Sequence, residues 1–213
     1  MSSALFSSEP QDRTIAPGAR LLGGFAEPFE TELLRAVDDV SAQAPFRRMV
    51  TPGGYSMSVE MTNCGSLGWV TDRRGYRYQS EDPETGRPWP LMPEVFSDLA
   101  SQAAERAGFE RFLPDAGLLN RYAPGTRLSL HQDRNERDFD APIVSVSLGL
   151  PAVFLFGGMR RNDRPLRIPL HHGDVVVWGG PARLRFHGVL PIGEGTHPLT
   201  GSSRINLTLR KAS

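Results

Sequence analysis

Apolar and polar residues alternate strictly over residues 204–210: Ile205, Leu207 and Leu209 fall on one face, Arg204, Asn206, Thr208 and Arg210 on the other. That period of two predicts a strand with one face in the core. Earlier in the chain the period is helical. Phe29, Leu33, Leu34, Val37 and Val40 predict a helix over 28–43 that stops before Pro45, and a second helix is expected from about residue 94 to 107, ending at Gly108. After Pro114 the sequence is β-rich, with strands predicted at 115–122, 127–130, 143–150, 153–156, 166–170, 174–178, 185–191 and 204–210. Short strands divided by Pro, Gly and Asn turns, following the helices, indicate a mainly β fold with flanking helices: a double-sheet jelly roll or barrel.

The first part of the chain is less regular. Residues 1–19 read as a loose arm, 20–24 as a short strand ending at a glycine turn, and 46–49 with 55–63 as a hairpin around Thr51-Pro52-Gly53-Gly54. Between 65 and 78, Trp69, Tyr76 and Tyr78 are interleaved with the turn Asp72-Arg73-Arg74-Gly75. Two readings stand side by side. Exposed rings beside arginines suit a flat ligand such as a nucleobase, or the rings pin a loop to the core. Residues 81–93 read as a proline-rich extended loop anchored by Trp89.

Composition narrows the class without naming a function. With 213 residues, 39% hydrophobic and 23% charged, the chain is expected to form one soluble domain. No apolar run reaches the ~18 residues of a membrane span, and the start lacks a basic stretch followed by an apolar one. A cytoplasmic protein with no membrane association is the expectation. Cys64, the sole cysteine, can form neither an internal disulfide nor a thiolate metal site and is expected to be a small buried side chain. Zero net charge argues against a large nucleic-acid footprint driven by bulk charge. Small clusters at Arg47-Arg48, Arg73-Arg74 with Arg77, and Arg160-Arg161 with Arg164 could still hold a few phosphates around one cleft.

Chemistry concentrates at His131-Gln132-Asp133 and, far downstream, His187. In an extended segment His131 and Asp133 share a face. Two imidazoles and one carboxylate on one side of an ion leave its other positions open, the arrangement of non-haem Fe(II) oxygenases. Arg204 and Arg210, at opposite ends of one strand face, suit a small dicarboxylate, because a guanidinium binds a carboxylate bidentately. Asn120 and Tyr122 share a face and either hydrogen-bond such a carboxylate or form a satisfied buried pair. His171-His172-Gly173-Asp174 is a competing cluster, although adjacent histidines face apart, and His197 beside Pro198 reads as a solvent-exposed loop residue.

With these residues assembled, the sequence resembles the AlkB family of alkylated-nucleic-acid repair dioxygenases within the Fe(II)/2-oxoglutarate oxygenase superfamily. The resemblance covers nearly the whole chain after Gly18 and rests on MVTPGGY at 49–55, NRYAPG at 120–125, LSLHQD at 128–133, PIVSVSLG at 142–149 and GDVVVWGG at 173–180. It implies a double-stranded β-helix over 115–213 with an N-terminal nucleotide-recognition lid over 45–90. It also implies that His131, Asp133 and His187 bind Fe(II), and that Asn120, Tyr122, Arg204, Asn206 and Arg210 hold 2-oxoglutarate. Trp69 and His131 would flank the damaged base, with Tyr76, Arg77 and Tyr78 on the nucleotide backbone, Arg161 near the base and Thr51 to Tyr55 following the phosphates. The implied reaction uses O2 to hydroxylate an N-methyl group of the 1-methyladenine or 3-methylcytosine type, releasing formaldehyde. Alkylated single- or double-stranded DNA is the implied partner, with RNA a further candidate and the protein a monomer.

One position departs from the family pattern. Asn135 stands where an acidic residue is typical, and a neutral amide attracts a cationic base less than a carboxylate does. Glu136 is adjacent and is expected to face elsewhere. The competing functions are a non-catalytic reader of damaged bases and an oxygenase acting on protein or small molecules.

Overall fold

The structure, a computed structural model, describes residues 11–213. It begins with a hairpin, β1 (Arg13–Ala16) and β2 (Ala19–Leu22), where the composition predicts a loose arm. The remainder of that arm, residues 1–10, lies outside the described residues. Only four residues long and largely exposed, β1 offers no alternation for a sequence pattern to reveal, and it is held by pairing with β2. After a single helical turn at Pro28, α1 (Glu30–Gln43) buries Leu33, Ala36, Val37 and Val40.

The next segment departs from the expected hairpin. Residues 46–56 make only isolated bridges, Arg47 to Met61 and Val50 to Ser56. Its second limb becomes β3 (Glu60–Gly65), which pairs instead with a longer neighbour described below. A true hairpin follows, β4 (Gly68–Asp72) and β5 (Gly75–Gln79), turning at Arg73-Arg74. Helix α2 (Glu94–Arg106) buries Phe96, Leu99, Ala100, Ala103 and Ala104. It stops where the pattern predicts. Gly108 takes φ of +93°, its N–H donates to Glu105 O at 2.9 Å, and Phe109 N–H donates to Ala104 O at 2.8 Å, so the glycine turn satisfies two terminal carbonyls.

The β-rich half supplies β6 (Ala116–Tyr122), β7 (Leu128–His131), β8 (Ile143–Gly149), β9 (Ala152–Phe156), β10 (Leu166–Leu170), β11 (Val175–Trp178), β12 (His187–Val189) and β13 (Arg204–Arg210). They match the predicted strands to within a few residues. The largest shortfall is at 185–191, where an irregular register leaves three residues in β12. All pairings are antiparallel. A seven-stranded sheet in the order β1-β2-β11-β8-β13-β6-β3 faces a four-stranded sheet in the order β10-β9-β12-β7, which makes the expected jelly roll.

Two apolar layers result. One lies between the large sheet and the helices and joins Leu33, Val37, Phe96 and Leu99 to Ile205, Leu207 and Leu209. The other lies between the sheets and holds Tyr122, Phe154, Phe156 and Trp178. Strand β13 separates them, with β8 on one side and β6 on the other, so both its faces are buried. Its apolar residues face the helices. Cys64, fully buried on β3, has its thiol pushed up to about 12 by burial, as the expectation of an inert side chain requires. Truncating Leu207, which has no exposed surface, should cost about 2–5 kcal/mol from the lost contacts and the cavity left behind. Urea unfolding of Leu207→Ala will show a lower midpoint with an unchanged slope.

Candidate metal centre and base pocket

Histidines 131 and 187 meet because β7 and β12 run side by side with these two residues opposite each other. Gly188 permits that approach. A Cβ there would lie 2.6 Å from Leu128 O and 3.1 Å from Leu130 N, so any larger residue would push the strands apart. The two rings lie 4.4 Å apart between centroids. Each is oriented from its own backbone: His131 Nδ1 is 2.9 Å from Ser129 O and His187 Nδ1 is 3.1 Å from Arg185 O. A carbonyl only accepts, so both Nδ1 atoms carry the proton and both Nε2 lone pairs are available. Asp133 completes the group just beyond the end of β7, its Oδ1 3.6 Å from His131 Nε2 and its Oδ2 3.6 Å from His187 Nε2. The three ligand atoms lie within 4.8 Å of one another.

Chemically this donor set fits Fe(II), with tautomers set by backbone carbonyls as metal-binding histidines usually have them. The carboxylate is kept ionised by its neighbours. Burial drives the Asp133 carboxyl up, but Arg210 and the two imidazoles outweigh it and hold it well below the usual range. Arg210 donates to Asp133 Oδ2 through Nε at 3.0 Å and Nη2 at 2.7 Å. Burial and the neighbouring His187 hold the His131 imidazole down at about 4. It is therefore neutral, and able to bind metal, at ordinary pH.

Glu136 is not on the cavity wall and faces elsewhere, as expected, and the direction it takes is into the interior. The chain leaves β7 at His131, so alternation no longer sets direction, and the Glu136 side chain is buried. Its Oε1 accepts from the Tyr78 hydroxyl at 2.7 Å and lies 3.5 Å from Arg210 Nε, while Oε2 lies 3.2 Å from Arg183 Nη2. Arg183 also donates to Asp133 O at 2.8 Å and Ala141 O at 3.1 Å. Nothing in the sequence marks Arg183. Its role depends on a turn that folds it against a loop 50 residues earlier.

The polar face of β13 lines the inner wall of a cavity of about 660 Å³. Asn206 Nδ2 donates to Ser145 Oγ and Val146 O, and its Oδ1 accepts from Asn120 Nδ2 at 3.2 Å and from Thr208 Oγ1 at 3.0 Å. Arg204 donates to Ser147 Oγ at 2.9 Å, but its Nε and Asn120 Oδ1 are buried with no partner. Burial lowers the Arg204 guanidinium to about 10 and raises the Tyr122 phenol, on the same wall, to about 12. An unpartnered guanidinium N–H and a neutral phenol suit a carboxylate ligand, so the wall fits 2-oxoglutarate. The two arginines differ, however. Arg210 is already engaged with Asp133, so Arg204 is the one with an unused donor.

Residues of the 45–90 segment form the outer wall. Thr51, Trp69 and Tyr76 line the cavity, as do Asn135 and Arg161 from the β-helix. The indole and the two phenols of this hairpin share one face, where Trp69 stacks on Tyr76 at 5.7 Å and 20°. Trp69 Nε1 donates to Asn135 Oδ1 at 3.3 Å. Three of the expected nucleotide-contacting residues lie off the cavity wall. Tyr78 points inward to Glu136, because it sits opposite Trp69 where the hairpin meets the core. Arg77 occupies the other face and is clamped to Asp72, Nη1 to Oδ1 at 3.0 Å and Nη2 to Oδ2 at 2.8 Å. Tyr55 is 77% exposed at the turn tip and off the cavity wall. The competing cluster is structural: Gly149 N–H donates to His172 Nδ1, leaving Nε2–H for Glu30 at 2.8 Å, and His197 stacks on the His172 ring.

The sequence model of the 2OG-Fe(II) oxygenase superfamily matches residues 18–210. The chain belongs to that superfamily. Among relatives of this 2OG-Fe(II) oxygenase, the alpha-ketoglutarate-dependent dioxygenase AlkB of Escherichia coli K12 is 58% identical over 205 residues, spanning 96% of this chain and 95% of that protein. Human nucleic acid dioxygenase ALKBH1 is 37% identical over 132 residues, 61% of this chain and 34% of that protein. The solved structure of OsALKBH1 superposes with a TM-score of 0.83 at 29% identity, covering 94% of this chain and all of that one. The protein is thus an Fe(II)- and 2-oxoglutarate-dependent dioxygenase. No helix among the described residues is long and apolar enough to cross a membrane.

Two consequences can be measured. An imidazole titrates near 6.5 when unfolded and near 4 in folded His131, so protons favour the unfolded chain between those values. The contribution is complete above pH ~6.5 and is lost as pH falls toward ~4, so urea titrations of the metal-free protein will lose stability across that window more steeply than His131→Asn. Arg210→Ala leaves two buried carboxylates short of a partner and will cost about 3–5 kcal/mol in the same assay.

Proposed function

We propose that this dioxygenase repairs N-alkylated bases of the 1-methyladenine and 3-methylcytosine type in DNA and RNA by oxidative dealkylation. The observation that carries the reading is the placement of Trp69 and Tyr76 at the mouth of the same cavity whose floor holds His131, Asp133 and His187. The identity to the E. coli dioxygenase over nearly the full length supports it, as does the relationship to a human nucleic acid dioxygenase.

His131, Asp133 and His187 would hold Fe(II), and Arg204, with Asn120, Tyr122 and Asn206 around it, would hold 2-oxoglutarate, with Arg210 bracing the metal-binding carboxylate. When bound, the two supply oxidation of an N-methyl group by O2, yielding succinate, carbon dioxide and a hydroxymethyl product that releases formaldehyde. The protein's own side chains do the positioning. A base inside a duplex stack cannot reach the cavity floor, so it must come from a single strand or be flipped out at a cost of a few kcal/mol. Trp69 and Tyr76 recover part of that cost by stacking. Met57, Met61 and Leu128 on the wall exclude water from the reacting methyl group. Arg161 and Thr51 at the rim would meet the nucleotide's polar groups. The reading takes the chain to act as a single domain and a monomer in the cytoplasm.

Protein supplied with Fe(II) and 2-oxoglutarate will release formaldehyde from oligonucleotides carrying 1-methyladenine or 3-methylcytosine, and His131→Ala will abolish the release. Tight binding of these oligonucleotides without formaldehyde would favour a non-catalytic reader. Turnover with methylated peptides alone would favour a protein oxygenase.

A further inference from the structure

Apart from Arg161, the arginine cluster at 160–164 has no part in the site described so far. It occupies the turn between β9 and β10, residues 157–165, which carries three arginines and one aspartate in a chain whose net charge is zero. The aspartate does not cancel its neighbours. Asp163 is folded back under the turn, where its Oδ2 accepts from Arg160 N–H at 3.0 Å and fills the place that a Cβ on Gly158 would take. Arg160, Arg161 and Arg164 are exposed, and none has a carboxylate within 4.0 Å among the described residues.

Strand register shows where this turn stands. Leu166 pairs with Phe156, Phe156 with His187 and His187 with His131, so one rung of the smaller sheet runs from the base of the turn to the two imidazoles. The turn is tied to the same place by its backbone: Gly157 N–H donates to Phe186 O at 2.7 Å, and Phe186 N–H to Gly158 O at 2.9 Å. The 45–90 segment leans on the opposite edge of that sheet. Ser58 Oγ donates to Arg127 O at 3.1 Å just before β7, and Trp69 Nε1 to Asn135 Oδ1 at 3.3 Å just after it. His131 and His187 therefore lie between two rims. Neighbouring strands are about 4.8 Å apart, so β7 and β10, three spacings from each other, are separated by roughly 14 Å.

We propose that the β9–β10 turn binds the backbone of the undamaged strand when the substrate is a duplex, with Arg160 and Arg164 on its phosphates. The rim formed by the 45–90 segment takes the nucleotide whose base enters the cavity. The second backbone of a duplex lies a groove away, roughly 12 Å across the major groove, which matches the separation of the two rims. Exposed guanidinium groups with no carboxylate partner suit phosphate oxygens, and contacts of this kind fix register without reading sequence. Holding the far strand keeps the helix in place while one base is extruded from the other, so the benefit is confined to duplexes. This inference rests on the dealkylation reading above and adds a second strand to it.

The test uses one labelled DNA strand carrying 3-methylcytosine, alone and annealed to its complement, with the native protein and the double variant Arg160→Ser with Arg164→Ser, which leaves Arg161 in place. Both replaced side chains are exposed and free of ion pairs, so the fold is not at stake. Fluorescence anisotropy of the metal-free proteins over a series of salt concentrations gives the affinity and its salt dependence. Each duplex phosphate neutralised contributes about 0.9 to the slope of log affinity against log salt. The double variant should therefore flatten the duplex slope by roughly 1 to 2 and weaken duplex binding at least about fivefold at about 0.1 M salt, leaving the single strand unchanged. Formaldehyde release with Fe(II) and 2-oxoglutarate should show the same selective fall in kcat/KM for the duplex. Equal losses for the two forms would put the contact on the damaged strand, and unchanged slopes would leave the turn to solvent; either result overturns the proposal and leaves dealkylation standing. No formaldehyde from native protein with either form overturns dealkylation itself, and the anisotropy slopes then decide the second-strand contact alone.

Discussion

The Asp133–Arg210 pair is the interaction on which the centre depends. A carboxylate this buried would take up a proton if left alone, and a protonated acid is a poor metal ligand. Arg210, projecting from the last residue of the central strand, supplies the compensating charge through two nitrogens. Its position is in turn fixed by β13, which is hydrogen-bonded on both edges and packed on both faces. A strand bonded on both edges and buried on both faces therefore governs the charge state of the carboxylate ligand. Glu136, Arg183 and the Tyr78 hydroxyl extend this arrangement outward, so a hairpin of the outer wall touches a network whose other end is a metal-binding group.

Much of this was legible in the sequence where a repeating pattern had a physical cause. The alternation of β13 could be read because its two faces meet different environments, helices on one side and the cavity on the other. The helices could be read from their apolar spacing, and α2 from its terminal glycine as well. His131 and Asp133 could be paired by spacing, although Asp133 lies just past the strand. His187 is different. It was a candidate by residue type, and its placement depends on strand order and on Gly188, which no local pattern announces.

Where pattern was lacking, reading failed for definable reasons. β1 is too short and too exposed to alternate. Glu136 and Asn135 follow the end of β7, where the backbone no longer assigns faces by parity, so the burial of Glu136 behind the cavity wall was not legible. The aromatic hairpin was open to two readings, and both describe part of it. Trp69 and Tyr76 face the cavity, while Tyr78, on the same side, is drawn inward by Glu136. Arg77, expected at the nucleotide backbone, is paired with Asp72 across the turn, an ion pair that no local pattern announces.

The approach of β12 to β7 at Gly188 has a consequence for the unliganded chain. The two imidazoles come from strands joined only through a long intervening stretch, and their shared ligand position exists only when the smaller sheet has closed. A cation held there would act as a clasp across that sheet, adding to folding free energy in proportion to the logarithm of its free concentration. Withdrawing the ion would then lower the stability of the fold as well as empty the site.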